Sequence, residues 1–270
     1  MASLELTDKD KVKEYLGIPA SDTSKDDMID DIISAVCAEM ELYCEREFAL
    51  DTYTEQINGN GEDRVRLRNT PIEGILYSAK GRTSLIEITY NGVKTGFIDV
   101  QEKEIRLTDG LSQTDIAIGD DDTIADVVAS IDADGSCSAT VQDSELGNYP
   151  GRILTQRTYS ILESGDCADL VGPTSCIYLR EENDGLYLSS STIENLCIVL
   201  YNGGYAPDAV PAGLEQLATQ ISADTYKSLG QQANLKSEKI GDYSYQMNNN
   251  ISTVMEAYST RLDFYRSFSI

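Results

Sequence analysis

The chain has 270 residues, 41% of them hydrophobic, with 46 acidic against 21 basic side chains and a formal net charge of −25. That length and apolar content suit one large domain or two modest ones and argue against wholesale disorder. The charge repels DNA and anionic lipid at long range, against a sequence-reading nucleic-acid binder, and the absence of histidine excludes Cys/His zinc sites and histidine-based catalysis.

Thr7, Asp8 and Asp10 suit a helix start, and Val12, Tyr15 and Leu16 give it an i, i+3, i+4 stripe before Gly17-Ile18-Pro19 stops it. A second helix opens at Ser24–Asp27, with acids at its positive end. It carries Ile29, Ile32, Ile33, Val36, Met40 and Tyr43 along one face. At about 20 residues it spans roughly 30 Å.

After Phe48 the period becomes two. Tyr53, Glu55 and Ile57 run into Asn58-Gly59-Asn60-Gly61, hairpin-turn chemistry. On the return strand Val65 and Leu67 alternate with Arg64, Arg66 and Arg68, and Pro71-Ile72-Glu73-Gly74-Ile75 closes that unit. Strand-like runs follow at Leu85–Tyr90, Phe97–Val100 and Ile105–Leu107. Residues 108–180 read as a separate, inserted module: Ile116 and Ile118 alternate as a strand, and Asp120-Asp121-Asp122-Thr123 caps a short helix from Ile124 to Ile131. Ala139–Val141 and Ile153–Ile161 read as further strands.

Strand character returns at Leu186–Leu188 and Leu196–Leu200, and Asn202-Gly203-Gly204-Tyr205 turns the chain. Pro211 takes a favoured first helical position, with Leu214, Leu217, Ala218, Ile221 and Tyr226 lining one face. A last helix from Ile251 carries Val254, Met255, Tyr258, Leu262 and Tyr265.

Enzyme signatures are lacking. The six cysteines form no CxxC pair, and Cys37 and Cys44 share one helical face as small hydrophobes. Reduced thiols in the cytosol are expected, since the first residues form no apolar signal core and no stretch approaches 18 apolar residues. The acids at Asp120–Asp122 serve as helix-capping residues rather than a metal site, and Asp132-Ala133-Asp134-Gly135 lacks the later ligands of a calcium loop. The glycines at 59, 61, 203 and 204 stand outside any phosphate-binding motif. No catalytic, metal-binding or cofactor-binding residue is assigned.

Several segments, taken in order, resemble the head–tail connector (adaptor) proteins of tailed bacteriophages. They are Val12–Leu16; Ile29–Phe48 with Tyr43 and Arg46; Tyr53-Thr54-Glu55; and Pro71-Ile72 with Ile75. Tyr201–Tyr205, Pro211-Ala212-Gly213-Leu214 and Ser237-Glu238-Lys239-Ile240-Gly241-Asp242-Tyr243-Ser244 complete the series. The resemblance covers roughly residues 4–90 and 186–268. The intervening stretch IAIGDDDTIADVVASIDADGSCSATV resembles a small module embedded in flagellin and hook-associated proteins, through Thr123, Ile124, Val127, Val128, Ile131 and Ala139.

The resemblance implies an α+β fold: a mostly helical connector core, formed by an N-terminal helix pair and C-terminal helices around a small β-sheet, with an inserted α/β module. The core is residues 1–107 plus 181–270, and the β-rich module with one short helix is 108–180. It implies a virion structural protein of the neck, a homo-dodecameric ring under the portal that joins the DNA-filled head to the tail and extends the DNA channel. Its expected partners are the portal ring and the next neck or tail-completion protein. Genome DNA would pass without sequence-specific binding, no membrane is involved, and assembly takes place in the host cytoplasm. The expected partner interface is Lys236, Ser237, Glu238, Lys239, Ile240, Gly241, Asp242 and Tyr243, with Leu262, Phe264, Tyr265 and Phe268 as apolar anchors. A different class stays open: a ligand- or host-binding module displayed on residues 108–180, or a tail-completion protein of the same particle.

Overall fold

A computed structural model describes residues 4–58, 64–92, 95–161, 164–177, 179–182, 185–188, 196–235 and 250–266. Among these are five helices: α1 (Lys9–Leu16), α2 (Asp26–Cys44), α3 (Ile124–Asp134), α4 (Ala212–Leu235) and α5 (Asn250–Leu262). The strands are β1 (Asp51–Asn58), β2 (Arg64–Val65), β3 (Ile72–Lys80), β4 (Thr83–Tyr90), β5 (Gly96–Val100), β6 (Glu104–Asp109) and β7 (Ser112–Ala117). They continue with β8 (Cys137–Val141), β9 (Arg157–Ile161), β10 (Cys167–Gly172), β11 (Ser175–Cys176), β12 (Leu179–Glu182), β13 (Gly185–Leu188) and β14 (Leu196–Gly203). The chain divides into two compact units, one of Met1–Leu50, Arg68–Pro71 and Gly203–Ile270, the other of Asp51–Leu67 and Ile72–Asn202.

In the first unit helices pack on helices. Asp8 caps α1, its carboxylate accepting from the Lys11 N–H at 3.0 Å, and Gly17 ends it in the left-handed conformation. Ile29, Ile33, Val36, Cys37, Met40 and Cys44 of α2 are buried against Leu214, Leu217, Ala218 and Ile221 of α4, with Met255 and Leu262 of α5. Each such aliphatic side chain contributes about 1.5–3 kcal/mol on burial. Burial pushes the thiols of Cys37 and Cys44 up to about 11 and about 12, so both stay protonated. Gly204 turns the chain back at φ +101°, where a Cβ would stand 2.1 Å from the Ala49 carbonyl oxygen, so only glycine fits.

The second unit holds four sheets, in the strand orders β1-β14-β3-β11, β10-β4-β8, β12-β13-β2 and β7-β6-β5-β9. Central strands carry the core: Leu85, Ile86, Ile88 and Tyr90 are buried on β4, and an unbroken buried run on β14 extends from Cys197 to Tyr201. Ile124, Val127 and Ile131 of α3 join the core formed by β4, β5 and β6. Thr123 and Asp126 form a reciprocal capping box at the start of α3. Strands from residues 108–180 extend sheets begun earlier: β7 pairs with β6, β9 with β5, and β8 and β10 with β4.

The expectation of a mostly helical core around a small β-sheet is overturned. The fold is sheet-rich, with fourteen strands against five helices among the described residues. The physical cause is that a strand's extent and partners are set far along the chain: β8 and β10, from residues expected to form a separate module, pair with β4. The segment from Ile72, expected to close a unit, instead opens the nine-residue strand β3, whose burial follows no clean period.

Candidate partner interface

The last turn of α2 and the residues after α5 are clasped together by side chains. The helix α2 ends at Glu45 in the left-handed conformation, φ 55°, the single non-glycine residue with positive φ among those described. Its carboxylate accepts from the Arg266 guanidinium, which lies 5.9 Å from the Tyr43 ring centroid. The Tyr43 hydroxyl donates to Asp263 at 2.9 Å, and the Cys44 thiol lies 3.8 Å from the Leu262 carbonyl. The Asp263 carboxylate holds the Tyr43 phenol above its ordinary value, since the hydrogen bond favours the protonated form, and Glu45 likewise raises Arg266.

This clasp sorts the expected anchors. Leu262 is fully buried in the helical core. Tyr265 is half-buried against the same core, while Phe264, on the 3₁₀ turn Asp263–Tyr265, is 85% exposed. Lys236–Tyr243 and Phe268 lie outside the described residues. One exposed apolar residue escaped sequence reasoning: Leu42, 72% exposed, in the last turn of α2. Its signal was available, because position 42 falls off the apolar stripe of that helix. Nothing local marks the Glu45–Arg266 and Tyr43–Asp263 contacts, which join residues over 200 positions apart. Phe264 and Leu42 are each exposed on an ordered element, and an ordered apolar anchor suits a protein partner because it loses little freedom on docking.

The acidic runs are bound up inside the second unit. Asp120 takes a hydrogen bond from Arg152, a 2% exposed arginine that also donates to Glu102 at 3.0 Å; the same Glu102 oxygen accepts the Thr54 N–H at 2.9 Å. Asp122 accepts from the Gly119 N–H at 2.6 Å, Asp132 from Ala139 at 2.7 Å, and Asp134 from Ser136. Among the described residues no helix is long and apolar enough to cross a membrane.

No family model matches the chain, and no curated protein does. Among solved structures it is similar to a chain of the virion of a native gene transfer agent particle, at 10% identity and a TM-score of 0.32, over 96% of this chain and 90% of that one. At that score the likeness carries no argument for fold or role.

Proposed function

We propose that this chain is a structural protein of a tailed-phage-like virion, acting as a head–tail connector whose copies form a ring beneath the portal. One observation carries the reading. The N-terminal helix pair, the Gly204 turn and α4 are among the parts on which the connector resemblance rests, and with α5 they flank some 150 residues of mostly sheet. They nonetheless share one core, from Leu6 and Ile29 through Leu214 and Ile221 to Met255 and Leu262. A shared core is what a conserved docking body would need, whatever is inserted between its halves.

On this reading Phe264 and Leu42 meet the portal, and the acidic surface faces the DNA path, where like charge keeps the duplex from sticking. The role is non-catalytic. Native mass spectrometry of the chain, alone and mixed with its cognate portal, tests it. A ring of the chain, free or formed on the portal, supports the proposal. A monomer indifferent to the portal overturns it.

A further inference from the structure

The sheet β7-β6-β5-β9 presents two edges with unused backbone groups. Which groups point outward follows from the ladder geometry. Ile118 N–H donates to the Lys103 carbonyl at 2.7 Å. Stepping by two along the β6–β7 register, residues 105/116, 107/114 and 109/112 face each other as hydrogen-bonded pairs. The N–H and C=O groups of Gln113, Asp115 and Ala117 therefore point away from the sheet. On the other side, Gln101 N–H donates to Glu104 and Gly110 N–H to Thr95. Phe97 and Asp99 thus bond to β6, and Gly96, Ile98 and Val100 to β9. That leaves Thr158 and Ser160 of β9 pointing outward.

All five outward residues are exposed, and no other described segment takes up their backbone groups. Free edges of this kind are usually guarded by proline, lysine, a bulge or a covering segment. Neither β7 (SQTDIA) nor β9 (RTYSI) holds proline or lysine, and the β7–β6 and β9–β5 registers run without a break.

We infer that these two edges join copies of this chain, β7 of one against β9 of the next, in a continuous antiparallel sheet. The inference rests on the ring reading and names its subunit junction. Three features select a second copy and this pairing. The sheet has four strands that alternate in direction, so β7 of a neighbour in the same orientation meets β9 antiparallel. The edges differ in charge: β7 carries Asp115, which already pairs with Arg106 of β6 at 2.8 Å, and no base, while β9 carries Arg157 and no acid. On β9 the exposed Ser160 hydroxyl is a further donor for a carboxylate, whereas the Thr158 proton is already given to Asp99 at 2.6 Å within the chain. Pairing β7 with β7 would instead set Asp115 against its own copy, which like charges disfavour. A β7–β9 junction uses different surfaces on its two sides, so it propagates head to tail and closes into a ring when the rotation permits.

The test uses Gln113→Pro and Ser160→Pro in the full chain, each removing one outward N–H at an edge position that tolerates proline. Native mass spectrometry of the wild type at high concentration is expected to show oligomers. Each variant alone is expected to be monomeric, with an unchanged circular dichroism spectrum. Mixed one to one they should give a heterodimer and nothing larger, because each supplies the edge that the other lacks. That rescue cannot come from misfolded chains. Oligomers of either variant matching the wild type, or a mixture that stays monomeric, overturn the junction and leave the ring reading to the portal experiment. A wild-type chain monomeric by itself also overturns the junction, whatever the portal does.

Discussion

At the scale of single residues, stability is set by buried groups that the local sequence does not flag. Glu41 accepts the Phe48 N–H at 3.0 Å from a half-buried position, and desolvation raises its carboxyl above the usual range. A raised carboxyl binds its proton more tightly folded than unfolded. Its penalty is absent below the unfolded value near 4.5 and grows as pH rises through the folded value. Glu41→Gln keeps an acceptor for Phe48 without the charge. It should stabilise the protein at pH 7, with the advantage vanishing below about pH 4.5 in parallel urea melts. A constant difference across that range would rule out desolvation as the cause. Asp51 behaves oppositely: its Lys103 partner and the Thr52 N–H lower its carboxyl despite burial, so its contribution is lost as pH falls. Arg152 is a third such residue. Replacing it with leucine should cost on the order of 2–3 kcal/mol, at or below the low end for a buried pair because Glu102 and Asp120 are partly exposed. Chemical denaturation measures it, and a cost under about 0.5 kcal/mol would reduce the arginine to a space-filler.

At the scale of elements, the C-terminal turn sets a core side chain and an exposed one within three residues, and the proposed docking role falls on the exposed one. Leu262 is core and Phe264 is solvent-facing. Leu262→Ala should lower stability by about 2–5 kcal/mol. Phe264→Ala and Leu42→Glu should change it by no more than about 0.5 kcal/mol, yet weaken portal binding at least tenfold in a pull-down titration. Portal binding unaffected by both surface changes would move the interface elsewhere. Periodicity had put Leu262 and Tyr265 on the packed face of the last helix and left Phe264 off it, and the burial follows that division, although the chain leaves α5 for a 3₁₀ turn at Asp263. The α2 stripe was legible: Ile29, Ile32, Ile33, Val36 and Met40 are buried, and Tyr43 is partly buried against the same core. A long amphipathic helix repeats its signal often enough to fix its own face.

At the scale of the whole molecule, a net charge of −25 opposes any self-association. Screening shortens the reach of that repulsion from about 30 Å at 0.01 M salt to about 8 Å at 0.15 M. Strand pairing is short-ranged and should survive this change, so the oligomer fraction should rise over that salt interval. Sedimentation velocity reads it directly. Dissociation on adding salt would mean that ion pairs, not backbone pairing, hold the copies together.

By itself the sequence determined the two amphipathic ends, the capped helix α3, the glycine turn at 204 and the exclusion of histidine chemistry. Each is written in local spacing or in composition, which need no knowledge of distant residues. Only the tertiary structure decided that the fold is sheet-rich rather than mostly helical, that β3 runs on from Ile72, that Arg152 is held between Glu102 and Asp120, and that β7 and β9 are left as edges. A strand's partners lie far along the chain, and its hydrogen bonds are made with them rather than with its neighbours. Local pattern can propose a strand, but only the assembled sheet fixes where it pairs and which side stays open.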